Sequence, residues 1–186
     1  PYRQHYFDGA LMHIFNPDTK ENGGIFSQSQ GWLILAEAIA GHGDRAFEYF
    51  METSPAAMND KAEIRVIEPY AHGQFTESKA SPFEGRSHVH WLTGTASTVM
   101  VGCVEGICGM CPDIEGLTID PAIPSEWDGF TIEKTFRGKQ LSIEITNPEH
   151  VQSGVIETVL NGENLKSNFI PADKLKETNK ITVVMG

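Results

Sequence analysis

The sequence predicts an α+β chain in which helices joined by glycine-rich loops give way, near Asp120, to short strands. Three observations carry this. Apolar residues recur at helical spacing over residues 27–40 (Trp32, Leu33, Leu35, Ala36, Ile39, Ala40) and again over 95–107 (Val99, Met100, Cys103, Val104, Ile107). Beyond Asp120 the period falls to two: Phe130, Ile132 and Lys134 alternate with polar neighbours, and Leu141, Ile143 and Ile145 do so again. Arg137-Gly138 and Asn161-Gly162 supply turns, the second being the strongest hairpin signal in the chain.

The elements follow in order. Residues 1–26 contain Pro17, Gly23 and Gly24 and read as an irregular loop. A first helix is expected over 27–41, stopped by Gly41 and Gly43, with Trp32 on its apolar face and so in the core. Asp44 is expected to cap a second helix, 44–52, which carries Phe47, Tyr49, Phe50 and Met51 and ends at Ser54-Pro55. Residues 56–90 are polar and mostly irregular, too long for a bare connection; such loops form active-site walls or lids. The third helix, 95–108, closes at Gly109 and Pro112, and residues 181–185 form a last strand. About 65 residues of antiparallel sheet cannot hide both faces, so the β module is expected to dock on a helical body.

Composition sets looser bounds. The 186 residues have room for one domain, or for the end of one and a small second one. A formal charge of −11 argues against nucleic acid and anionic membrane as partners, since both would be repelled. No apolar run reaches 18 residues, and Pro1-Tyr2-Arg3-Gln4-His5 is not a signal peptide. A first residue of Pro1 rather than Met fits a fragment. Cys103, Cys108 and Cys111 form C-x4-C-x2-C without a fourth ligand or second knuckle, so free thiols are expected rather than a metal site. Their odd number, without a secretion signal, points to a reducing, cytoplasmic compartment.

The chemistry concentrates in Trp91-Leu92-Thr93-Gly94-Thr95-Ala96, where two hydroxyls and a glycine amide meet a helix start. The free amides and positive dipole end of a helix make a ready oxyanion site. Taken alone, Thr-Gly-Thr is an ordinary cap. Taken with Thr19-Lys20-Glu21-Asn22-Gly23-Gly24-Ile25-Phe26 and Glu68-Pro69-Tyr70, in this order and spacing, it resembles the inverting disaccharide phosphorylases of glycoside hydrolase family 94. The resemblance runs from about Lys20 to Gly138.

That resemblance implies a fold and a reaction. Residues 1–119 would be the last helices and loops of an (α/α)6 toroid, and 120–186 a small antiparallel, jelly-roll-like β-sandwich. Inorganic phosphate, a co-substrate and the only non-sugar reactant, would attack the anomeric carbon of a β-linked disaccharide such as cellobiose or chitobiose. The products would be an α-sugar-1-phosphate and a free acceptor. One carboxylic acid suffices, because phosphate replaces the base-activated water of an inverting hydrolase. In the family that acid is an aspartate in an upstream segment with no match here, so no catalytic residue is assigned in this chain and the isolated chain is expected to be inactive. The missing upstream part would be its partner, in a full-length homodimer. No metal and no other cofactor is implied.

The same resemblance assigns phosphate contacts to Thr93 and Gly94 and, at the position of a family histidine, to Gln28. A glutamine amide donates a hydrogen bond but carries no charge, so phosphate would be held more weakly, would borrow charge from Arg86, His88 or His90, or would no longer be bound. Lys20 and Glu21 would lie beside the donor sugar, and Gln74 would bond one of its hydroxyls. Cys111 departs from a basic family residue before Pro112. Arg86-Ser87-His88-Val89-His90 reads as a metal pair, a polar wall of the phosphate pocket, or an ordinary loop or edge strand. Asp113, Glu115, Glu126 and Asp128 are carboxylates a hydrolase would need, yet nothing sets two of them across a glycosidic bond. A hydrolase on the same toroid, or a non-catalytic sugar-binding remnant, is the alternative.

Overall fold

The computed structural model describes residues 11–186; the part of the expected N-terminal loop on residues 1–10, Pro1 to His5 included, lies outside them. A 3-10 turn (Leu11–Ile14) and the short strand β1 (Ile25–Phe26) precede helices α1 (Gln28–Ile39) and α2 (Gly43–Thr53), within two residues of the expected spans. The polar stretch that follows carries a 3-10 turn (Ala56–Lys61), α3 (Ala62–Arg65), β2 (Phe75–Thr76) and β3 (Ser87–His88). Helix α4 (Thr95–Val101) passes into a π-helical turn (Gly102–Ile107). Strands β4 (Met110–Pro112), β5 (Gly116–Ile119), β6 (Gly129–Phe136) and β7 (Lys139–Thr146) come next. β8 (Glu157–Leu160), β9 (Glu163–Asn164), β10 (Phe169–Pro171) and β11 (Thr178–Val184) complete a mixed α+β chain.

The chain divides into two compact units, one of residues 11–32 and 49–100, the other of 33–48 and 101–186. The first is built on an antiparallel sheet in the order β1-β2-β3, with Phe26 opposite Phe75 and Phe75 opposite His88. Its interior is unusually polar: Asp18, Asn22, Glu77, Ser87 and Thr95 are buried beside Ala71, Phe75 and Val99. Buried polar groups are costly unless bonded, and Asp18, Asn22, Glu77 and Thr95 each make side-chain hydrogen bonds. Asn22 donates to the Phe15 carbonyl at 2.9 Å, and the Ser78 hydroxyl donates to the Asp18 carboxylate at 2.6 Å. The loop carrying Lys20 is thereby tied to the end of β2.

The apolar core lies in the second unit. A five-stranded sheet in the order β6-β7-β11-β8-β9 buries Leu141, Ile143, Ile145, Leu160, Ile181 and Val183. A three-stranded sheet, β10-β5-β4, buries Ile170, Leu117, Ile119 and Met110. Both expected turns form: Arg137 and Gly138 have φ of 49° and 78°, and Asn161 and Gly162 have 52° and 88°. Two positive φ values in succession are what a tight antiparallel hairpin needs.

Four expectations are corrected. Strands begin at Met110, ten residues before Asp120, because Gly109 (φ 68°) stops the helix and reverses the chain so that Met110 pairs with Ile119. A Cβ at Gly109 would stand 2.2 Å from the Asp120 carbonyl carbon, so the reversal requires glycine. The strands are mainly antiparallel, as expected, but not wholly: β11 runs parallel to β7, Ile181 beside Ile143, while pairing antiparallel with β8. The buried face of β11 carries Asn179, Ile181 and Val183, and the strand takes the central place in the sheet. Asp44 does not cap α2, which begins at Gly43; its carboxylate accepts from the Ser125 amide (2.7 Å) and hydroxyl. Trp32 is not core but 60% exposed, with Leu33 and Ile39 exposed as well, because α1 is apolar on both sides and only the Ile34–Ala38 side is buried.

Asn179 shows how the five-stranded sheet is locked. Its amide donates to the Gln140 and Lys176 carbonyls, and its oxygen accepts from the Lys176 amide and the Asn161 side chain. Asn179→Ala strands these buried groups and is expected to cost about 1–3 kcal/mol, read from urea unfolding. Among the described residues no helix is long and apolar enough to cross a membrane.

Candidate oxyanion and sugar site

The start of α4 is fixed by its own hydroxyls. The Thr95 amide donates to the Thr93 hydroxyl oxygen at 3.1 Å, and the two hydroxyls are 2.8 Å apart. The fully buried Thr95 hydroxyl donates to the Gly73 carbonyl at 3.2 Å, joining the helix start to the segment that enters β2. Thr93 therefore caps the helix, as the ordinary reading of Thr-Gly-Thr requires.

A second helix starts beside it. Gln28 is the first residue of α1, and its carboxamide lies against Gly94: a Cβ there would stand 3.2–3.3 Å from the amide carbon, oxygen and nitrogen. One turn on, Gly31 rests on the α4 backbone, where a Cβ would be 2.3 Å from the Thr98 carbonyl carbon. The Thr98 hydroxyl donates to the Gln28 carbonyl at 3.0 Å. Contacts thus advance in the same direction along both helices, so the two run parallel with their N-terminal ends together. The positive ends of their dipoles come together at one place, where Gln28, Thr93 and Gly94 meet.

Gln74 stands at the edge of this group. Its carbonyl accepts from the Ser27 amide (3.0 Å), immediately before α1, and its amide donates to the His88 carbonyl (2.9 Å). Its side-chain oxygen is buried without a hydrogen-bond partner among the described residues. Lys20 lies next along: its ammonium sits 5.8 Å and 6.0 Å from the Phe15 and Phe75 ring centroids. It lines a cavity of about 670 Å³ with Phe75, Glu77, Phe83, Arg86 and His88. Glu21, on the same loop, is exposed and does not line that cavity.

Both histidines of the His-x-His segment are paired with carboxylates. His88 stacks on Phe75 at 4.9 Å and meets the Glu77 carboxylate at 2.6 Å, which also accepts from the Ser81 hydroxyl. His90 lies 2.9 Å from Glu68 of Glu68-Pro69-Tyr70, which also accepts from the Trp91 indole at 3.3 Å. The positive charge either imidazole could offer a phosphate is thus met by a carboxylate. Val89 (φ 57°) and Trp91 (φ 66°) adopt left-handed backbone conformations that cost bulky and β-branched residues energy. Strain of this kind gathers where a site demands a particular backbone course.

Burial pushes the Glu77 carboxyl up, but bonds from Ser81 and His88 and the Arg86 charge outweigh it, holding the group below the usual carboxylate range. A depressed carboxylate contributes stability that is present above its unfolded pKa, about 4.3, and is lost as pH falls through the lower folded value. The β2–β3 hairpin is therefore expected to survive pH 4.3 and loosen below it, read from the Glu77 carboxylate and His88 ring signals in an NMR titration. Glu77→Gln should flatten that dependence and cost about 1.5–3 kcal/mol at neutral pH.

Glu77 and Ser81 have no motif and went unmarked in the sequence. Their signal is the alternation of Phe75 and Glu77 on one strand facing Arg86 and His88 on the next, a period of two too short to stand out in a polar loop.

The model of the glycosyl hydrolase 94 superfamily, catalytic domain, matches residues 1–109. The chain belongs to this superfamily. The model of the glycosyl hydrolase family 65 C-terminal domain matches residues 111–159. N,N'-diacetylchitobiose phosphorylase of Vibrio proteolyticus is 37% identical over 96% of the chain, and that of Vibrio furnissii 38% over 96%. Solabiose phosphorylase of Paenibacillus borealis is 25% identical over 92%. The chain spans 22% of the length of each of these three relatives.

Proposed function

We propose that the chain is the C-terminal part of an inverting disaccharide phosphorylase, and that Gln28, Thr93 and Gly94 hold its phosphate. The observation that carries this reading is the meeting of two parallel helix N-termini at Gln28 and Gly94. Two segments nearly seventy residues apart, each marked by the family resemblance, converge there on a site whose dipoles favour an oxyanion. Residues 1–119 are then the last helices and loops of the (α/α)6 toroid and 120–186 its β-sandwich. The exposed apolar side of α1 supports this, because a helix apolar all round is ordinarily covered on both sides.

In this reading phosphate, seated on the first-turn amides and the Thr93 hydroxyl, attacks the anomeric carbon of a β-linked disaccharide as the glycosidic bond breaks. An upstream aspartic acid protonates the departing sugar oxygen. Gln74 offers its unpartnered carboxamide oxygen to a donor-sugar hydroxyl, and Lys20 borders the donor ring; Glu21 would have to turn inward to join them. The full-length enzyme works as a cytoplasmic homodimer, with no cofactor beyond inorganic phosphate. The test is incubation of the full-length protein with cellobiose or chitobiose, with and without phosphate. Phosphate-dependent release of an α-sugar-1-phosphate, identified by NMR, is expected. Phosphate-independent release of free sugars would instead make it a hydrolase, and binding without turnover a sugar-binding remnant.

A further inference from the structure

We propose that Cys103 and Cys108 form a reversible disulfide across the π-helical turn, with Cys103 as the attacking thiol and a peroxide as the oxidant. In a regular α-helix, residues five apart lie on different faces with Cα atoms about 8–9 Å apart, beyond disulfide reach. Here the Cys108 amide bonds to the Cys103 carbonyl at 2.8 Å, the i to i+5 pattern of the π turn, which brings residue 108 over residue 103. The turn is held open by packing, since Gly106 is buried against Ala38 and Leu35 of α1 with a Cβ position only 3.0 Å from the Ala38 Cβ. Both cysteines are half-buried, side by side on the same face of the turn.

The neighbouring Cys108 thiol draws Cys103 down to about 7, while Cys103 and burial push Cys108 up, so Cys103 is the one that ionises first. Cys111 is held apart: its thiol donates to the Glu105 carbonyl at 3.3 Å, and burial together with the Glu105 and Asp120 charges raises it. The Cys103 thiolate attacks one peroxide oxygen, the O–O bond breaks, and the leaving oxygen takes a proton to become water. Cys108, giving up its proton, attacks the Cys103 sulfenic sulfur; the S–O bond breaks and a second water leaves. Two thiols are oxidised by two electrons and one peroxide is reduced to two waters. A dithiol reverses the step.

The full-length protein, reduced and then treated with one equivalent of hydrogen peroxide, is quenched with iodoacetamide and cleaved after Glu105, which separates Cys103 from Cys108. Joined peptides are expected in the wild type and in Cys111→Ser. In Cys108→Ser no crosslink forms, and Cys103 is trapped by dimedone as a sulfenic acid. Three alkylated thiols in the peroxide-treated wild type, or a crosslink that survives Cys108→Ser by using Cys111, would overturn the proposal.

Discussion

Gly31→Ala is expected to be among the most damaging single substitutions in the first unit. In an exposed helix interior this change gains up to about 1 kcal/mol from backbone propensity. At Gly31 the new Cβ would meet the Thr98 carbonyl carbon at 2.3 Å, its oxygen at 2.5 Å and the Val99 nitrogen at 2.6 Å. These are backbone atoms of α4 and cannot swing aside, so the helices must part. Overpacking of this kind costs about 1–3 kcal/mol and here exceeds the propensity gain. Because the contact lies one turn from Gln28 and Gly94, separation of the helices also opens the proposed oxyanion site. Thermal unfolding of the full-length enzyme should show a lowered midpoint, and its Michaelis constant for phosphate should rise while that for disaccharide changes little.

Gln28→His is expected to move phosphate affinity the other way. The carboxamide already lies against Gly94, so an imidazole of similar reach stands beside the same first-turn amides. A protonated ring gives a charge-assisted bond, contributing about 1.5–3 kcal/mol against about 1 for the neutral amide. Apparent phosphate affinity should improve by about tenfold at pH 6. A cation gained at this position acts only while protonated, so the gain should fade as pH rises through about 6.5, the unperturbed histidine value. Kinetic constants for phosphate across pH 5.5–8, beside the wild type, read this directly. The native histidines do not substitute for it, since Glu77 and Glu68 hold His88 and His90.

Much of this was legible in the sequence where local rules act alone. Leu141, Ile143 and Ile145 alternate as read, and Arg137-Gly138 and Asn161-Gly162 turn where two positive φ values are needed. The ends of α1 and α2 follow their glycines and Pro55. What escaped depends on partners distant in the chain. Asp44 has the residue type of a cap, but Ser125 claims its carboxylate. Trp32 has the spacing of a core residue, but α1 carries more apolar surface than this chain covers. The parallel place of β11 is a tertiary choice that no local pattern encodes.

The proposed site was legible in unequal parts. Thr93, Gly94 and Gln28 were marked and do converge, whereas the pairing of His88 with Glu77 is a contact across a hairpin too short to announce itself. The Thr93 hydroxyl also carries a second duty, because it caps α4, so its removal costs about 1 kcal/mol of stability as well as any ligand contact.

The Michaelis constant for phosphate of Thr93→Val, with disaccharide saturating and Thr93→Ser alongside, tests the central claim most directly. The valine variant should bind phosphate about tenfold more weakly, equivalent to about 1.4 kcal/mol, with its disaccharide constant unchanged. The serine variant, which keeps both the cap and the hydroxyl, should stay near the wild type. An unchanged phosphate constant in a folded Thr93→Val enzyme would place the phosphate elsewhere and contradict the assignment.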